Sequence, residues 1–174
     1  MFFDIWTIIN PVLRTLVYIT VLTTIGTVLF QFHFNNFFDK ELSNYCRVLL
    51  KKMSVFGLFT SLVVFLSVAG NLGGDLYSTT DLSLLILAFE TLSGKSAILL
   101  FTGFLIIIIS IFINGTFSSS IKFLGIILIL WSFIIVGHST LKGLSTQTLI
   151  VIHIFCISFW LGSFLPLRFM CMNK

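Results

Sequence analysis

Charge is what this sequence has least of. Asp, Glu, Lys and Arg together make up 9% of its 174 residues, against roughly 25% in a soluble globular domain. So few charges cannot cover a water-exposed surface, so the composition excludes a soluble fold and points to an integral membrane protein. Cysteine is sparse too: Cys46, Cys156 and Cys171, with no C-x-x-C, so no disulfide framework is implied. No run of Lys or Arg is long enough for a nucleic-acid footprint, and the net charge of +4 comes from residues scattered at the ends of apolar runs. The chain has no H-E-x-x-H, no phosphate-binding glycine loop and no Ser-His-Asp set at a usable depth, so no enzyme is expected. No charged residue stands at the centre of an apolar run, which argues against a proton relay built from carboxylates. Met1-Phe2-Phe3-Asp4 lacks the basic start of a signal peptide. No soluble domain, linker or low-complexity tail is legible.

What the sequence does have is apolar length. Hydrophobic residues make up 57%, and mean hydropathy is +1.14. The runs are continuous, whereas barrel strands would alternate apolar and polar. An all-α membrane bundle of about five spans follows, near 12–32, 53–72, 96–113, 122–138 and 147–168. Trp6 is expected at an interface, and Pro11 in the first turn of a helix. Residues 35–52 are the most polar stretch. Phe38, Leu42, Tyr45 and Leu49 recur there at helical spacing, with Asp39, Lys40, Ser43, Asn44 and Arg47 on other faces. That pattern predicts an interfacial helix near 37–50, the alternative being a solvated loop. Gly73-Gly74-Asp75 breaks the second span, and 82–89 is apolar but too short to cross, so a short helix capped by Thr80 or Asp81 is expected. Ser158 and Gly162 lie four apart, a small-residue pair suited to helix packing.

Basic residues set the orientation. With the N-terminus outside, the inner side receives Lys40, Arg47, Lys51, Lys52, Lys122, Arg168 and Lys174, and the outer side Arg14, Lys95 and Lys142. The positive-inside rule then favours N-out and C-in.

Two of the three histidines fall near the outer end. A fifth span starting at Gln147 puts His153 about 9 Å along its helix. His138 closes the fourth span, so the two are expected at similar depth on adjacent helices. An ionisable residue within a membrane is a functional candidate by default. His153, Cys156 and Trp160 share a stripe, as do Trp131, Ile134 and His138. Imidazole suits copper, zinc and iron, and thiolate suits Cu(I), so His138 and His153 with Cys156 form a candidate copper site. Axial ligation of a b-type haem and plain hydrogen bonding to a neighbouring helix are the alternatives for the histidines. A buried apolar filler is the alternative for Cys156. His33 lies at the inner end of the first span, and Met170-Cys171-Met172 at the inner tail.

Gly137-His138-Ser139-Thr140, followed by His153 and then Trp160-Leu161-Gly162 and Pro166-Leu167, resembles the paired signature of the bacterial copper resistance protein D family. Ser163 stands where that family has its second glycine. Tyr18, Gly26 and Phe30 resemble its first helix, and Thr91-x-x-Gly94 its motif before the third span. The resemblance covers nearly all of residues 1–174 as a single transmembrane domain, and implies a shortened member lacking the family's last spans. It implies an inner-membrane protein of copper resistance or homeostasis that binds or transports copper, with His138 and His153 as ligands. A periplasmic copper-binding partner goes with that role. The remaining partners expected are the lipid bilayer and a second copy of the chain, with no nucleic acid. A degenerate, non-catalytic scaffold is the alternative to a working copper protein.

Overall fold

In hydrocarbon, a chain must close its backbone hydrogen bonds internally, and a helix does so within one run. Each apolar run here folds that way. The computed structural model describes residues 5–34, 36, 39–113, 115–136 and 143–172. Its helices are α1 (Trp6–His33), α2 (Lys40–Gly73), α3 (Leu82–Glu90), α4 (Leu92–Phe112), α5 (Thr116–Ile134), α6 (Leu144–Gly162) and α7 (Phe164–Met172). Among the described residues, five spans are long and apolar enough to cross a membrane: α1, α2, α4, α5 and the α6–α7 segment. The all-α membrane bundle expected from the sequence is therefore the observed architecture.

Several boundaries differ. α1 starts at Trp6, so Pro11 lies inside the helix rather than opening it. Trp6, at the start of α1, is buried against α2; it is 4% exposed, and its ring fills the space beside Gly70. The helix expected near 37–50 is present but is not a separate interfacial element. It forms the first turns of α2, which runs unbroken for 34 residues. No Gly or Pro intervenes between Lys40 and Gly57, so nothing stops propagation once Asp39 has capped the start. The Asp39 carboxylate accepts from the Leu42 N–H at 2.7 Å. At about 1.5 Å per residue α2 is roughly 50 Å long, well beyond the ~30 Å of hydrocarbon, and its first turns pack against the end of α1 and against α7 through Leu42 and Cys46. Gly74 ends it in the left-handed region at φ 83°.

The short helix expected at 82–89 is α3, and Asp81 is its N-cap, accepting from the Ser83 N–H at 2.8 Å. The last span divides at Ser163 into α6 and α7. Pro166 has no N–H to offer the carbonyl four residues back, at Gly162, so the helix cannot pass this point with its ladder intact.

The membrane-crossing helices form a ring. α1 packs between α2 and α6, α2 against α4, α4 against α5, and α5 more lightly against α6. The middle of α1 is the most enclosed part, with Val21, Ile25 and Phe30 fully buried beside Thr20, Thr24 and Thr27. The Thr20 and Thr27 hydroxyls donate to carbonyls three or four residues back on their own helix, at 2.7–3.0 Å. A polar residue thus enters the core without needing a partner on another helix. Two crossings bring backbones together at glycines, Gly26 against Gly162 for α1–α6 and Gly103 against Gly125 for α4–α5. The outer surface carries Phe59, Phe112, Leu149 and Trp160, all strongly exposed, as a lipid-facing surface requires.

A candidate site in the cavity at the α6 end

The helices of the ring line an open cavity of about 1120 Å³. It lies where α1, α4 and α6 begin and α2 and α5 end. Ile150, His153, Ile154 and Ile157 line it from α6, a stripe at helical spacing. α1 contributes Asn10, Arg14 and Tyr18, α2 contributes Ser67 and Asn71, α4 contributes Ser96, and α5 contributes Ser132 and Phe133. Small polar groups from every wall therefore face a space that apolar residues otherwise surround.

These groups hold the wall in place. Asn10 and Asn71 exchange amide hydrogen bonds at 3.0 and 3.2 Å, joining α1 to α2. The Ser96 hydroxyl donates to the Ser132 carbonyl at 2.8 Å, joining α4 to α5. The Tyr18 and Phe133 rings meet at 5.5 Å, joining α1 to α5. The loop leading from α2 to α3 stands at the same end. There Asp75 accepts from the Ser78 N–H at 2.8 Å and from the Ser78 hydroxyl. These bonds favour the ionised carboxylate and hold Asp75 below the usual carboxylate range. Bonds from the Ser83 hydroxyl and N–H do the same for Asp81.

The three candidate ligands fare differently. His153 lines the cavity, nine residues into α6. That is about 13–14 Å along the helix, deeper than the sequence suggested, because α6 starts three residues earlier than Gln147. His138 lies outside the described residues; α5 ends at Ile134, four residues before it. His153 and Cys156 are both exposed, and Cys156 does not belong to the cavity lining although it is only three residues from His153. Among the described residues no group of three or more His, Cys, Asp and Glu side chains is placed to hold a metal. The other copper-suited side chains lie elsewhere. His33 is in the last turn of α1, its ring against Phe34 and Phe159 at 4.8 and 6.1 Å. Cys171 and Met172 are exposed on α7, while Met170 packs with Phe30, Leu42 and Cys46.

The sequence reading missed Arg14, Asn10 and Asn71 as site residues. Arg14 counted only as an end charge. The signal available was a polar amide in each of two apolar runs, at positions that span ends would bring to one level.

Residues 4–147 match the family model described as "Copper resistance protein D-like, N-terminal domain". The matched segment ends in the first turn of α6, so His153 and Cys156 follow it. No curated protein and no solved structure matches the chain.

Proposed function

The chain belongs to the copper resistance protein D-like family, and on that premise we propose that it binds copper and passes it across the cytoplasmic membrane, without catalysing a reaction. The observation that carries this reading is the placement of His153 on the cavity-facing stripe of α6. Imidazole is a neutral nitrogen donor suited to copper. The copper ion here is cargo, and His138, four residues after the end of α5 in the sequence, is the second ligand of the proposal. Absence of Cys156 from the cavity lining favours a site built from the two histidines, with the thiol apart from it.

The cavity's charge bears on how copper is held. Among the described residues Arg14 is its one permanently charged side chain, and no carboxylate lines it. A site of neutral donors beside a guanidinium holds a cation less tightly than one with carboxylates would, which suits passage better than storage. The distribution of basic residues supports an orientation with this end facing the periplasm, where a soluble copper-binding protein would deliver the ion.

The test is copper stoichiometry on purified protein under reducing conditions. Wild type is expected to retain copper, and His138→Ala combined with His153→Ala to lose it, with the melting temperature of the copper-free protein unchanged. Stoichiometric copper in the double variant would sink the assignment. A Soret band in purified wild type would replace it with haem ligation.

A further inference from the structure

A second cavity, of about 880 Å³, lies at the opposite end of the bundle. α1 and α4 end there and α2 and α5 begin there. Its charged lining is Lys40, Arg47, Lys122 and Asp39. One oxygen of Asp39 accepts from Leu42 as the N-cap of α2, and the carboxylate keeps its charge, so three cations face one space with a single anion. Lys122 is half-buried on the inner face of α5, while Lys40 and Arg47 are exposed along α2. This excess of positive charge favours an anion in the cavity, most of all beside the half-buried Lys122, where solvent screens least.

The other groups agree. The helix ends nearly cancel, since two N-termini and two C-termini meet there, so the side chains decide the sign. The N-cap of α5 is Gly115, which has no side chain to cap the first turn, and Ser119 lines the cavity with an exposed side chain. Gln31 also lines it, and its Oε1 is buried with no hydrogen-bond partner among the described residues. Turned over, that amide presents an N–H donor in the same place. On the span side the wall becomes apolar, through Val28, Leu50 and Ile111. Phe32 and Phe123 add an edge-to-face ring pair at 5.4 Å.

We propose that this cavity is a phosphate-binding site, in which Arg47 and Lys122 grip the phosphate and Lys40 closes over it. Guanidinium binds phosphate in a two-pronged fashion and ammonium as a point charge. Two sources carry that chemistry: the headgroup of an anionic phospholipid, whose chains would lie along the apolar wall, and free inorganic phosphate. Basic clusters at a membrane surface attract the first by charge alone.

The experiment is thermal unfolding of the full chain in neutral detergent. Phosphatidylglycerol, phosphatidylcholine and inorganic phosphate are titrated separately, with sodium chloride at matched ionic strength as the control. The site is expected to raise the melting temperature saturably. In Arg47→Gln and in Lys122→Gln the half-saturating concentration rises roughly tenfold, the loss of about one charge-assisted contact. Response to phosphatidylglycerol and not to inorganic phosphate identifies a lipid site, and response to both a free-phosphate site. Lys40→Gln, at the exposed start of α2, serves if either inner variant does not fold, with a smaller shift in the same direction. No response beyond the chloride control, or a response undiminished in the variants, overturns the proposal.

Discussion

Gly26 of α1 and Gly162 of α6 touch backbone to backbone. A Cβ on Gly162 would lie 2.6 Å from the Gly26 Cα and 2.4 Å from the Leu22 carbonyl oxygen. A Cβ on Gly26 would meet the Ser158 carbonyl at 2.1 Å. These are backbone atoms, so no side chain can swing aside. The same helix carries His153, nine residues earlier, so this crossing sets how α6 stands against the cavity.

Gly162→Ala is therefore expected to push α6 off α1 and to destabilise by about 1–3 kcal/mol, the usual cost of overpacking. Gly26→Ala should do the same, and the double variant should cost less than the sum, because one displacement relieves both clashes. Melting temperatures of the three proteins in one detergent check this. Wild-type stability in either single variant would show that the helices do not cross there.

Asn10 and Asn71 form a reciprocal amide pair between α1 and α2. Asn10→Ala and Asn71→Ala are each expected to cost about 0.6–2 kcal/mol, the range for hydrogen bonds between membrane helices. A double-mutant cycle should return a coupling energy of that size. Strict additivity would mean that the two amides do not depend on each other.

Arg14 repels any cation entering the His153 cavity. At separations on the order of 10 Å in water the repulsion is about 0.4 kcal/mol, so Arg14→Gln is expected to tighten copper binding roughly twofold. The effect should fade at high salt. Competition with a chromophoric Cu(I) chelator at low and high salt measures both. Weaker binding in the variant would assign Arg14 a role in holding the site together.

The loop before α3 should respond to acid. The Asp75 and Asp81 carboxylates are held below their ordinary values by bonds from Ser78 and Ser83. A carboxylate with a depressed folded-state pKa contributes stability above its unfolded value, near 3.9. That contribution falls away as pH drops through the lower folded value. Amide exchange of Ser78 and Ser83 should therefore stay protected from neutral pH to about 4 and lose protection only below it. Asp75→Asn and Asp81→Asn should each weaken protection of their own serine and flatten its acid dependence. Unchanged profiles in both variants would count against these bonds.

Much of this architecture is legible without coordinates. Few charges and long apolar runs make a helical membrane protein, and Asp81 before an apolar octet announces α3. Ser158 and Gly162 four apart announce a packing face. Other features were not legible for identifiable reasons. Residues 37–50 carry the period of an amphipathic helix, and the same period fits the start of a longer helix. Only the absence of a breaker between Lys40 and Gly57 separates the two. Pro166 was visible, but whether a proline bends a span or divides it depends on how its neighbours pack.

The candidate site shows the division most sharply. Sequence alone determined that the chain is a multi-helix membrane protein. It also singled out His153, because an imidazole within an apolar run is costly to place without a role. Only the tertiary structure decided which groups share a space with it. His153 and Cys156 are neighbours in the sequence and both are exposed, yet only His153 lines the cavity, and Arg14, far away in the chain, lines it too. A helix fixes the angle between its own side chains. Which of those angles points inward is set by where the neighbouring helices touch, and for α6 that is the contact of Gly162 with Gly26.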